Sequence, residues 1–154
     1  MTRILVKSVY DAFEYVMERF YPFGLEDYAS KETYAVISIQ DTHTKGFGVK
    51  FAESFFCRDV LTLYFDDIVR EVEGAVLFQK EQAEAILAFL DKNRDVDEIL
   101  IHCYAGLSRS RAVGIFAGMY LNCDVVCSDP GLTMNDYVFD LLRNVQKEKE
   151  SLQK

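Results

Sequence analysis

Residues 99–111 read ILIHCYAGLSRSR, an apolar run that delivers a histidine, then a cysteine, then an arginine. Five residues separate Cys103 from Arg109, and two of them, Ala105 and Gly106, are small. This spacing suits a cradle for a tetrahedral oxyanion. Successive backbone N–H groups curling around a helix N-terminus make an anion nest, and the helix dipole adds about half a positive charge there. Gly106 brings a backbone free of Cβ strain close to a ligand. Arg109 can fork two N–H donors onto two oxygens of a phosphate or sulfate. The same field favours the thiolate of Cys103, and a thiolate at the floor of such a nest is what phosphoryl transfer to cysteine requires. Taken singly, each residue has a plainer account, since a buried cysteine usually packs and an arginine often caps a helix. It is the set that points to chemistry.

Periodicity supplies the elements that must hold this loop. Short strands are expected at 3–7, 34–39, 49–52 (VKFA) and 60–65, the last with Leu61, Leu63 and Phe65 on one side. A helix is expected at 11–20, with Ala12, Tyr15, Val16 and Arg19 or Phe20 at helical intervals before YPFG stops it, and another at 80–89, carrying Ala83, Ile86, Leu87 and the adjoining Leu90. QDTHTKG reads as the turn after the second strand. A short strand at 98–101, apolar from Ile99 to Ile101, leads into the motif. The run that follows, 111–121, is apolar nearly all round, as a helix buried at the centre of a domain is. A last helix over 133–147 carries Tyr137, Val138, Leu141, Leu142 and Val145 as its core stripe, and the charged tail 146–154 reads as a helix end fraying into solvent. Strands alternating with helices predict an α/β domain, a mostly parallel sheet covered on both faces, with ligands beyond the carboxyl ends of the strands.

Composition bounds the rest. The 154 residues suit one domain, half of them are hydrophobic, and no linker, repeat or low-complexity tract divides them. A formal net charge of −8 argues against a nucleic-acid backbone or an anionic membrane as the main partner. The opening MTRILVKSV is too short an apolar run for a signal h-region or a membrane span, so the expectation is a soluble, cytoplasmic protein with reduced thiols. Cys123 and Cys127 form a lone C-x3-C without a partnering pair, which favours core cysteines over a metal site.

The set His102-Cys103-x-x-Gly106-x-x-Arg109-Ser110 resembles the signature of the cysteine-dependent protein tyrosine phosphatase superfamily: His-Cys, five residues, Arg, then Ser or Thr. Five fixed positions at fixed spacing arise by chance on the order of once in ten thousand chains or fewer. The resemblance implies that Cys103 attacks phosphorus and forms a phosphocysteine. Arg109 and the backbone of Tyr104, Ala105, Gly106, Leu107 and Ser108 would bind the phosphate, His102 would orient the loop and support the thiolate, and Ser110 would stabilise the thiolate as it leaves. It implies hydrolysis of phosphate monoesters in phosphorylated proteins or peptides, on phosphotyrosine and also phosphoserine or phosphothreonine, with no metal or cofactor. It also implies a general acid some thirty to forty residues upstream, where LYFDDIV offers Asp66 and Asp67, 37 and 36 residues before Cys103.

Strand alternation puts the two aspartates on opposite faces and does not choose between them. Compact members of the superfamily carry a variable residue followed by Asp-Ile at this point, which favours Asp67 with Asp66 as the alternative. The chain has no tryptophan, so the Trp-Pro-Asp loop of the large tyrosine-specific enzymes is absent and the resemblance is to the compact dual-specificity-like group. The loop interior has no lysine, which disfavours a highly phosphorylated lipid or an RNA 5′ end. A phosphatase of another monoester, such as a lipid or metabolite, and a catalytically weak phosphate-binding module are the alternatives. Asn135 either positions water or caps the last helix. Cys57, Cys123 or Cys127 would protect an oxidised Cys103 if one of them lay within disulfide reach.

Overall fold

A computed structural model of the chain describes residues 2–21, 32–43, 48, 50–128, 131 and 133–153. The elements follow in the order β1 (Arg3–Ser8), α1 (Val9–Phe20), β2 (Tyr34–Gln40), β3 (Cys57–Tyr64), α2 (Lys80–Lys92), β4 (Glu98–Cys103), α3 (Arg109–Leu121), β5 (Val125–Cys127) and α4 (Asp136–Leu152). The five strands form one sheet in the order β3-β2-β4-β1-β5, with every neighbouring pair parallel. The protein is therefore an α/β domain, and β4 lies at its centre.

Strand alternation divides the core in two. Ile4, Val6, Ala35, Ile37, Ile39, Ile99, Ile101 and Cys103 face the side packed by α2, α3 and α4. Leu5, Tyr34, Val36 and Leu100 face the side where Ala12, Val16 and Phe20 of α1 pack. Both faces are covered, which is why β2 and β4 are buried along their whole length. Ser8 caps α1 by accepting the Asp11 N–H, and Asn135 caps α4 by accepting the Val138 N–H. In α3 a Cβ on Gly114 would lie 2.3 Å from Val6 Cγ2, and one on Gly118 would lie 2.3 Å from Val125 Cγ2. Those two glycines let α3 lie flat on β1 and β5, fixing the helix that the motif loop enters.

The expected strand at 49–52 does not form over its described residues, 50–52. Lys50 and Ala52 are exposed, while the Phe51 ring packs 5.3 Å from the His102 ring instead of joining a ladder. Val49, Pro22 to Gly24 of the helix stop and Thr44 to Gly46 of the turn lie outside the described residues. β5, only three residues long, carries too short a pattern for periodicity to show. α3 starts at Arg109 rather than Arg111, α4 starts at Asp136, and the charged tail stays helical to Leu152.

Candidate active site

An all-parallel sheet brings every strand's carboxyl end to one edge. That edge collects Ser8 at the end of β1, Asp41 and Thr42 after β2, Asp66 and Asp67 after β3, and the motif loop after β4. Cys103 ends β4 with only 2% of its surface exposed, and Arg109, 4% exposed, opens α3.

The loop curls around the sulfur. Gly106 N–H donates to Cys103 Sγ at 3.2 Å, and Ser110 Oγ lies 3.1 Å from the same sulfur. The Gly106 N–H and the Ser110 O–H can both donate to this sulfur, which sits at the α3 N-terminus. Gly106 has φ +75°, and a Cβ there would sit 2.5 Å from Ser8 N and 2.6 Å from the Lys7 carbonyl carbon. Conformation and space both demand glycine. Behind the loop, the Tyr104 carbonyl accepts the Val9 N–H at 3.2 Å, tying it to the start of α1.

Arg109 is oriented by the ends of two strands. Its Nη1 donates to the Phe65 carbonyl at 2.8 Å and pairs with Asp41 Oδ1 at 2.7 Å. Its buried Nε has no hydrogen-bond partner among the described residues. A buried guanidinium N–H left without a partner is costly.

His102 lies on the opposite face of β4 from Cys103 and is fully buried. Its Nε2 is 2.6 Å from Ser38 Oγ, which accepts Gln40 Nε2–H at 2.7 Å, and its Nδ1 is 3.2 Å from the Cys103 carbonyl. Ser38 O–H donating to Nε2 and Nδ1–H donating to that carbonyl satisfies the chain with a neutral ring. Burial holds the imidazole well down, at about 4, opposed by the bond to the Cys103 carbonyl and assisted by the Arg109 charge. At neutral pH the ring is a fixed strut under the loop.

The two aspartates separate cleanly. Asp66 is buried, accepting from Thr42 Oγ1 at 2.6 Å, Thr42 N at 3.2 Å and Val76 N at 2.8 Å. Burial alone would raise its carboxyl, but these donors and the nearby His43 hold it below the ordinary carboxylate value. It staples two loops as a carboxylate. Asp67 is exposed and turned to the motif loop: Oδ1 accepts from Ser108 Oγ at 2.8 Å and from Asn135 Nδ2 at 2.9 Å. Its Oδ2 makes no hydrogen bond among the described residues. Ser108 is the hub, since its carbonyl also accepts the Asn135 N–H at 3.2 Å. Asn135 is thus both helix cap and tether for Asp67. Arg111, buried in the first turn of α3, donates to the Thr133 carbonyl at 2.7 Å and holds the segment leading to Asn135.

No other cysteine reaches Cys103. Cys57 opens β3, and Cys127 closes β5, each two strands from β4. Neighbouring strands are about 4.8 Å apart, so either Cα lies at least roughly 9 Å away, beyond the ~7 Å limit for a bridge. Cys123 lies before β5, toward the opposite end of the sheet. Both Cys123 and Cys127 pack against the core, and no cluster of three or more His, Cys, Asp or Glu suited to a metal occurs among the described residues. No helix among the described residues is long and apolar enough to cross a membrane.

Sequence reasoning missed Asp41, Ser38 and Gln40. The two polar residues interrupting the apolar run YAVISIQ were the available signal. Asp41, an acid in a turn, offered none. Comparison of the chain with protein-family models, curated proteins and solved structures gives no match.

Proposed function

We propose that the protein hydrolyses phosphate monoesters through a phosphocysteine, acting on phosphotyrosine in proteins or peptides. The observation carrying this reading is the meeting, at one sheet edge, of a thiol with two hydrogen-bond donors, a buried arginine with an open N–H, and an exposed aspartate bonded to the same loop. In the first step the Cys103 thiolate attacks phosphorus while the ester P–O bond breaks, and Asp67 gives its Oδ2 proton to the departing oxygen. Arg109 and the loop amides, with Gly106 among them, stabilise the charge on the phosphoryl oxygens. In the second step Asp67 takes a proton from water, the water oxygen attacks phosphorus, and the P–S bond breaks. The Ser110 hydroxyl then receives the thiolate. The products are the free alcohol and inorganic phosphate.

The test is hydrolysis of an aryl phosphate between pH 5 and 8 in the presence of a chelator. Turnover that disappears in Cys103→Ser is expected. No turnover, with phosphate still bound, would favour a phosphate-binding module. Turnover unaffected by Cys103→Ser would refute the mechanism.

A further inference from the structure

Two exposed tyrosines stand together at the motif loop. Tyr104 directly follows the nucleophile, and because its carbonyl holds the Val9 N–H, the next residue of α1, Tyr10, is brought alongside it. Their ring centroids are 6.2 Å apart at an interplanar angle of 75°. This edge-to-face arrangement is favoured for aromatic pairs, so each ring limits the motion of the other. Yet both stand open to solvent, Tyr10 at 62% and Tyr104 at 51%, while Phe65 and Phe78 near the same edge are buried. Leu107, in the same loop, is 38% exposed. No lysine or arginine lies between Cys103 and Arg109. Around the phosphate nest the loop therefore offers ring surface and a branched aliphatic group rather than charge.

We infer that Tyr10 and Tyr104 form an aromatic wall that receives the ring of an aryl phosphate, selecting phosphotyrosine over phosphoserine and phosphothreonine. This rests on reading the loop as the phosphate site of a hydrolase. With the phosphate held on Arg109, a phenolic ester projects a flat ring out of the nest, where it can complete a group of three rings. A serine ester carries only a methylene before its backbone and has no face to offer. Aromatic contacts of this kind are worth several-fold to about tenfold each in binding.

The experiment compares wild type, Tyr10→Ala, Tyr10→Phe and Tyr104→Ala on three substrates: a phosphotyrosine peptide, the same peptide with phosphoserine, and acetyl phosphate. Wild type should prefer the phosphotyrosine peptide over its phosphoserine counterpart by at least tenfold in kcat/KM. Tyr10→Ala should raise KM for the phosphotyrosine peptide about tenfold with kcat little changed, leave acetyl phosphate turnover as it was, and be rescued by Tyr10→Phe. In Tyr104→Ala the ratio of phosphotyrosine to acetyl phosphate turnover should fall. Equal losses on the phosphotyrosine peptide and acetyl phosphate would mean that the tyrosines only support the loop, and would overturn the wall. Equal wild-type rates on the two peptides would overturn it too. No wild-type turnover of any of the three would instead remove the hydrolase reading, and this inference with it.

Discussion

Replacing each adjacent aspartate by asparagine should separate a structural carboxylate from a catalytic one. Asp66 accepts three hydrogen bonds, two of them from backbone amides, at a buried position. In Asp66→Asn the charge is lost and the new NH2 group can face a donor, so stability should fall by about 2–4 kcal/mol. Below its melting temperature the variant should keep a kcat within about threefold of wild type. Asp67 is exposed, and an asparagine there can still accept from Ser108 and Asn135 through its amide oxygen. Its stability should change by no more than ~0.5 kcal/mol. Lost with the substitution is the proton for the leaving group, and with it roughly a hundredfold to ten-thousandfold in kcat on an alkyl or simple phenyl ester. The deficit should shrink sharply on a leaving group that departs without protonation. Urea unfolding and steady-state kinetics on both esters give the four numbers. A folded Asp66→Asn with a hundredfold loss of kcat, beside an active Asp67→Asn, would refute the assignment.

Gly106→Ala should cost several kcal/mol of stability and at least about a hundredfold in kcat/KM, because the methyl meets the backbone of Lys7 and Ser8 at under 3.0 Å and the loop must shift; melting and kinetics would show it, and wild-type behaviour would contradict the packing. His102 is held neutral, at about 4 against an ordinary 6.5, so its contribution to stability is complete above pH 6.5 and is lost as pH falls toward 4, up to about 3 kcal/mol. His102→Gln should flatten that part of the pH dependence of the urea midpoint, and an unchanged slope would count against it. Asp41→Asn removes the charge facing Arg109 Nη1 while leaving an acceptor. Vanadate or phosphate should bind about three- to tenfold more weakly to it by competitive inhibition, and unchanged affinity would mean that the Phe65 carbonyl alone orients the arginine.

The parts legible in the sequence were those set by local pattern. β4 from Ile99 to Ile101 and α3 from Ala112 onward are apolar on all sides because they lie in the middle of the domain, so the strand, loop and helix around Cys103 could be read directly. The choice between Asp66 and Asp67 depends on Thr42, Val76, Ser108 and Asn135, which arrive from four other segments. Strand alternation contains none of that information. Asp41 acquires its role only when β2 and β3 end side by side beneath Arg109. VKFA reads as a strand because it alternates, but Phe51 is spent on covering His102. Cys57 and Cys127 were candidates for protecting Cys103 until the strand order separated them from it.

The central claim is a covalent bond between Cys103 and phosphorus. Ser110 Oγ stands 3.1 Å from the sulfur, so Ser110→Ala should slow thiolate departure more than attack, and the intermediate should accumulate. The direct measurement is acid quench of Ser110→Ala turning over an aryl phosphate, followed by intact mass and peptide mapping. The account predicts one added phosphoryl group, confined to the peptide containing Cys103, lost on alkylation of the thiol before substrate and absent from Cys103→Ser. An active enzyme that carries no phosphoryl group on Cys103 under these conditions, or carries it on another residue, would contradict it.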